Sequence, residues 1–178
     1  MSTTSNTIAI PADDPRRNLV VRNPDDSNAQ HLGIVGDTYT ILLSGVDTAG
    51  RFTLIDMHVP PGGGPPPHCH DFEESFILLD GELQATFRGE KRIVRAGETV
   101  HVPANAPHQF HNVSSKPVRM LCICSLAGQD EFFQEIGTPV ATRTTAPPRV
   151  DAAQEAAFFK KVTELAPQYR TELVKEAK

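Results

Sequence analysis

Between residues 38 and 126 the chain is built of short runs in which apolar and polar positions alternate. The clearest is Val118-Arg119-Met120-Leu121-Cys122-Ile123-Cys124, where every second residue can share one face of a strand. Runs of this kind at Thr38–Ser44, Phe52–Val59, Ser75–Leu79, Glu82–Arg88, Arg92–Val94, Thr99–Val102, His108–Val113 and Val118–Leu126 predict strands, separated by turn signals at the spacing of a β-sandwich or barrel. Asp80-Gly81-Glu82 and Arg88-Gly89-Glu90 predict hairpins, hence an antiparallel meander. After Gly128 the periodicity becomes helical. Gln129–Ile136 predicts a short amphipathic helix, Thr138–Arg149 a polar linker, and Asp151–Leu165 a second helix with Ala152, Ala156, Phe159, Val162 and Leu165 near one face, interrupted by Pro167. The first thirty residues are rich in Ser, Thr, Asn and Asp and predict an arm with one short strand at Asn18–Arg22.

Composition sharpens this picture. A chain of 178 residues suits one core, and 12 glycines, 15 prolines and 6% aromatic residues favour a turn-rich all-β fold over a helical bundle. The net charge of −5, with no basic run longer than two residues, argues against nucleic acid or an anionic membrane as partner. The longest mostly apolar stretch, Met120–Gly128, is too short to span a bilayer as a helix. Met1–Pro11 has neither the cationic start nor the apolar stretch of a secretory signal, so a cytoplasmic protein is expected. Cys69, Cys122 and Cys124 match no zinc framework, and the last two alternate within one strand-like run, which predicts buried reduced thiols.

The histidines change the reading from fold to chemistry. His68 and His70 follow an unbroken Gly/Pro run, Pro60–Pro67, and residues two apart in a strand point the same way. Glu74 opens the next apolar run and His108 opens another strand after a Pro-bounded turn. Together they offer three imidazole nitrogens and one carboxylate oxygen to one ion. Such a set leaves one or two positions open on a five- or six-coordinate cation and suits Fe, Mn, Ni, Co or Zn. Cys69 points away from its neighbours, and Glu73 faces opposite to Glu74. His31, His58 and His111 occupy no ligand position.

These residues also resemble a known family. Gly62, His68, His70, Glu74 and Gly81 stand at the spacing of the first cupin motif. Gly97, Pro103, His108 and Asn112 stand at that of the second, with Asn105 in place of the usual glycine. Asn105 is the next-best residue for a left-handed backbone. The resemblance implies a cupin double-stranded β-helix, or jelly-roll barrel, over residues 32–127, with an N-terminal arm at 1–31 and a helical extension at 128–178. It implies His68, His70, Glu74 and His108 as ligands of one divalent transition metal. Pro103–Phe110 and Asp130–Pro139 are similar to quercetin 2,3-dioxygenase-like members. The implied reaction is a dioxygenase chemistry on a small phenolic or enolic substrate with O2, in which Glu74 takes the substrate hydroxyl proton. A non-catalytic small-molecule-binding protein and a metal-dependent lyase or isomerase are the alternatives. By parity Phe76 and Leu78 share a face with Glu74, and Phe110 and Asn112 share one with His108. With His101 as an acid-base candidate, these are the expected substrate-pocket residues. The resemblance further implies a homodimer through the arm and the C-terminal helix.

Overall fold

The computed structural model describes residues 10–174. The start of the expected arm, residues 1–9, lies outside the described residues. In chain order the strands are β1 (Gln30–Ile34), β2 (Asp37–Leu43), β3 (Thr53–Val59), β4 (His68–His70), β5 (Glu73–Asp80), β6 (Glu82–Phe87), β7 (Glu90–Arg95), β8 (Thr99–Val102), β9 (His108–His111), β10 (Val118–Ser125), β11 (Thr138–Pro139) and β12 (Thr171–Leu173). Helices α1 (Gln129–Ile136) and α2 (Ala152–Leu165) and a turn of 3-10 helix at Ala166–Tyr169 complete the description.

The strands form two antiparallel sheets, ordered β11-β1-β2-β3-β10-β5-β8 and β12-β4-β9-β6-β7. Alternation along β10 explains the packing: Val118, Met120, Cys122 and Cys124 are buried, while Arg119, Leu121 and Ile123 are less so. Glu74, Phe76 and Leu78 of β5 follow the same parity. Ile55, Val59, Leu78, Leu83 and Met120 fill the core, which is the all-β jelly roll expected. Among the described residues no helix is long and apolar enough to cross a membrane.

The turn at Gly81 is not a hairpin. β5 pairs with β10 and β8 in the first sheet and β6 with β7 and β9 in the second, so Asp80–Glu82 carries the chain between sheets. Gly81 is needed there because its φ is +81° and a Cβ would lie 2.9 Å from the Pro117 carbonyl oxygen. Arg88–Gly89 does close a hairpin, with Phe87 opposite Glu90. The strand expected at Asn18–Arg22 does not form. Leu19 and Val21 there are 91% and 77% exposed, so pairing would bury nothing.

Helix α2 begins with a capping box, in which Asp151 accepts from the Gln154 N–H and Gln154 accepts from that of Asp151. Only its C-terminal half packs: Phe158, Val162 and Leu165 meet the core, while Ala152 and Ala156 of the expected face are exposed. Arg170, with φ +56°, then turns the chain into β12, which runs along β4 with Thr171 opposite His70 and Leu173 opposite His68. Strand β12 had no sequence signal of its own; β4 supplies its partner.

Candidate metal centre

His68 and His70 lie on β4 and His108 on β9, with His68 directly opposite His108, so three imidazoles come from the second sheet. Glu74 comes from β5 in the first. The chain crosses between sheets through Asp71 and Phe72, and the Asn105 N–H donates to the His70 carbonyl at 2.7 Å, tying the second motif to the first. Asn105 holds φ +66°, the left-handed conformation expected of it. One ligand atom from each of His68, His70, Glu74 and His108 lies within 4.8 Å of the others. All are buried except His68, which is half-buried.

The imidazoles are aimed by their outer nitrogens. Nδ1 of His68 donates to the Pro66 carbonyl at 2.9 Å, that of His70 to Phe72 at 3.0 Å, and that of His108 to Ala106 at 2.9 Å. A carbonyl only accepts, so each Nδ1 carries a hydrogen and each Nε2 is turned toward the cluster; those of His70 and His108 donate to Glu74 while protonated and can bind an ion once that proton leaves. The Phe72 ring stacks on His70 at 3.9 Å between centroids and adds a second constraint on that ring. Glu74 Oε2 lies 3.1 Å from His70 Nε2 and 3.0 Å from His108 Nε2. Bonds of about 2.1 Å at right angles give a ligand-to-ligand edge of about 3.0 Å, which these two edges match.

Electrostatics agree with the geometry. Burial raises the Glu74 carboxyl, but hydrogen bonds from His108 and His70 outweigh it and hold the group well below the usual carboxylate range. Burial pushes His68 down to about 4, so it is neutral and free to coordinate above that pH. Burial also pulls His70 down, yet the hydrogen bond and charge of Glu74 prevail and raise it.

Two cavities reach the ligand residues, one at His108 and the other at His68 and Glu74. The larger, about 290 Å³, reaches His108 and is walled by Phe76, Leu78, Phe110 and Met120, with Arg92 and Glu98 among its more polar lining. The smaller, about 70 Å³, carries Tyr39, His68 and Glu74 and is roofed by Phe158 and Phe159 of α2. Phe76 and Phe110 line both and meet edge to face at 5.4 Å.

Asn112 does not line either cavity, contrary to the expectation from parity. Its Nδ2 donates to the carbonyls of Val59 and Lys116 and its Oδ1 accepts from Ser114, so the side chain is fully engaged in pinning a loop. His101 borders the larger cavity, but its ring is half outside, bonded to Ser75 at 3.1 Å and Glu73 at 3.0 Å. Strand parity turns His101 outward while Val102 faces the core.

Sequence reasoning missed what stands behind Glu74. Cys122 and Cys124 are buried, and their Sγ atoms lie 3.2 and 3.7 Å from Glu74 Oε1. Their shared parity was legible, but the pairing of β10 with β5, which sets Cys124 opposite Glu74, was not. Tyr39 and Asp37 are also additions. The Tyr39 hydroxyl donates to Asp37 Oδ2 at 3.1 Å, and burial pushes Asp37 up to about 8 against the pull of that bond.

Comparison with known proteins fits this fold. Residues 55–124 match the Cupin domain family. Quercetin 2,3-dioxygenase of Bacillus subtilis is 27% identical over 101 residues, 56% of this chain and 30% of that protein. The polyketide synthase CurC of Streptomyces cyaneus is 31% identical over 75 residues, 42% of this chain and 47% of that protein. This chain therefore spans less than half the length of either relative. The structure of the polyketide cyclase RemF from Streptomyces resistomycificus superposes with a TM-score of 0.53 at 23% identity, over 76% of this chain and 89% of that one. The matched residues, the paired antiparallel sheets and the shared fold agree, so residues 55–124 form a cupin domain.

Proposed function

We propose that the protein is a metal-dependent enzyme of the dioxygenase type, acting on a small phenolic or enolic molecule as the quercetin 2,3-dioxygenase name of one relative suggests. One observation carries the reading: three imidazoles, each anchored through Nδ1 to a carbonyl, converge on one buried carboxylate beside an apolar cavity. His68, His70, His108 and Glu74 would hold a single divalent Fe, Mn, Ni, Co or Zn ion, which supplies Lewis acidity toward a substrate oxygen and, if redox-active, a route for electrons to O2.

The chain's own residues do the rest. Glu74 is ionised and accepts the proton of the substrate hydroxyl, which leaves the substrate as an electron-rich enolate. Phe76 and Phe110 present ring faces and edges to a planar substrate in the larger cavity. Leu78 and Met120 keep water from its inner wall. The same proton removal serves a second reading, an oxygen-independent lyase, isomerase or cyclase, which the polyketide-related names of CurC and RemF favour.

Oxygen consumption by metal-loaded protein, measured against a panel of flavonols and β-diketones, separates these. The expected result is uptake with at least one compound, and a fall of about 10²-fold or more in Glu74→Gln. Turnover of the same compounds without oxygen moves the assignment to the second reading. A metal-loaded protein that consumes no oxygen with any of them overturns the first.

A further inference from the structure

We propose that Glu74, Cys122 and Cys124 form a second cation site, on the side of Glu74 away from the histidines, that takes a thiophilic d10 ion of the Zn2+ or Cd2+ class. The inference shares Glu74 with the site proposed above, but that reaction gives neither thiol a part, and the test below reads cation binding alone.

The two oxygens of Glu74 are divided between two donor sets. Oε2 meets His70 and His108, and Oε1 meets Cys122 and Cys124. The β10–β5 register sets Cys124 opposite Glu74, and the two-residue strand period brings Cys122 to the same face. The Sγ atoms are 3.5 Å apart, and they lie 3.2 and 3.7 Å from Oε1. A tetrahedral ion with Zn–S near 2.3 Å and Zn–O near 2.1 Å has S-to-S edges of about 3.8 Å and S-to-O edges of about 3.6 Å. The three donors thus stand within a few tenths of an ångström of one face of such a tetrahedron, with the fourth position left for a further ligand. In the ion-free protein both thiols can donate to Oε1, and an ion that takes the place of those hydrogens would release two protons to solvent.

The donor sets differ in kind. Three nitrogens and an oxygen accept many divalent ions, whereas two sulfurs and an oxygen favour soft ones. Two thiolates by themselves balance the charge of a divalent ion in a site without solvent, and the carboxylate is shared with the cation at the histidines. One carboxylate would then bridge two cations of different chemistry.

Cadmium titration of the reduced full chain tests this in the Cys69→Ser variant, whose remaining thiols are Cys122 and Cys124. The expected result is two equivalents of Cd2+ bound, one of them giving the ultraviolet charge-transfer band of cadmium-thiolate bonds. Adding His108→Ala should remove the other equivalent and keep the band. A failure of the histidine centre alone leaves one equivalent with the band, so the two readings fail separately. Absence of the band at saturating Cd2+ with native circular dichroism overturns the proposal, as does a band that grows only while that dichroism collapses. Cadmium NMR of the wild type is the second measurement: a resonance typical of two sulfur ligands supports the site, and resonances of nitrogen and oxygen type alone overturn it.

Discussion

Gly64 has no room for a side chain. A Cβ there would stand 2.1 Å from the Phe110 carbonyl oxygen, and φ is +128°. The Gly/Pro run therefore lies directly on β9, and Asn112 closes the contact: its N–H donates to the Gly63 carbonyl, and its own carbonyl accepts from Gly62. The run matters to the site because it leads straight into His68. Gly64→Ala should cost about 2–4 kcal/mol and weaken cation binding together, since β9 carries His108. Urea unfolding and a metal titration check this; a variant as stable as the parent would show that β9 can yield. His68, His70 and Glu74 were readable at this scale because their spacing needs only the strand period and a turn, and His108 was joined to them by the resemblance of the second motif. Cys122 and Cys124 were not, since they meet Glu74 through a strand whose partner lies far along the chain, nor was Tyr39, which shares a cavity with Glu74 from another strand.

At the scale of elements, the sequence-predicted strand runs match β2, β3 and β5 to β10 closely, and Gln129–Ile136 forms α1 over those residues. The strands it missed are β1, β11 and β12, of which the last two, of two and three residues, lie on the outer edges of the sheets. Runs this brief have no period to read and exist only because a neighbour pairs with them. Helix α2 shows the reverse error, periodicity without burial, because small alanines at its start lie beyond the reach of the barrel. Its first half should therefore exchange amide hydrogens much faster than its second. Native-state exchange should find residues 152–157 opening well below the free energy of 158–165. Uniform protection along α2 would mean that something covers the exposed half. Val162→Ala, at the packed end, should lose about 1–2 kcal/mol in urea unfolding, against less than about 0.5 kcal/mol for Glu155→Ala.

At the scale of the whole molecule, one buried carboxyl group among the described residues has an oxygen without a hydrogen-bond partner. Asp37 is fully buried, its Oδ1 has no hydrogen-bond partner and lies against Gly63, and its carboxyl titrates at about 8 in place of 3.8. Between those two values the folded protein keeps a proton that the unfolded chain has released. This contribution to stability is complete below about 3.8 and is lost as pH rises through about 8. Asp37→Asn keeps the shape without the titration. The gap in unfolding free energy between variant and parent should therefore move in the variant's favour, by on the order of a few kcal/mol, as pH rises across that window. Because it is a difference, the histidine titrations common to both proteins cancel. A gap that does not change with pH would place the Asp37 proton elsewhere.

Alternation, turn residues and the His-x-His pair with Glu74 are properties of near neighbours, so the sequence by itself determined an all-β barrel and three of the residues gathered at its centre; His108, 34 residues beyond Glu74, was legible only through the resemblance of its motif. Which strands pair, which turns cross between sheets and what stands behind each ligand depend on contacts between residues far apart in the chain. Only the tertiary structure therefore decided that Gly81 is a crossing, that Asn112 pins a loop, and that the carboxylate of Glu74 has histidines at one oxygen and cysteines at the other. Loop closure and sheet pairing decide such contacts together, and no local pattern encodes them.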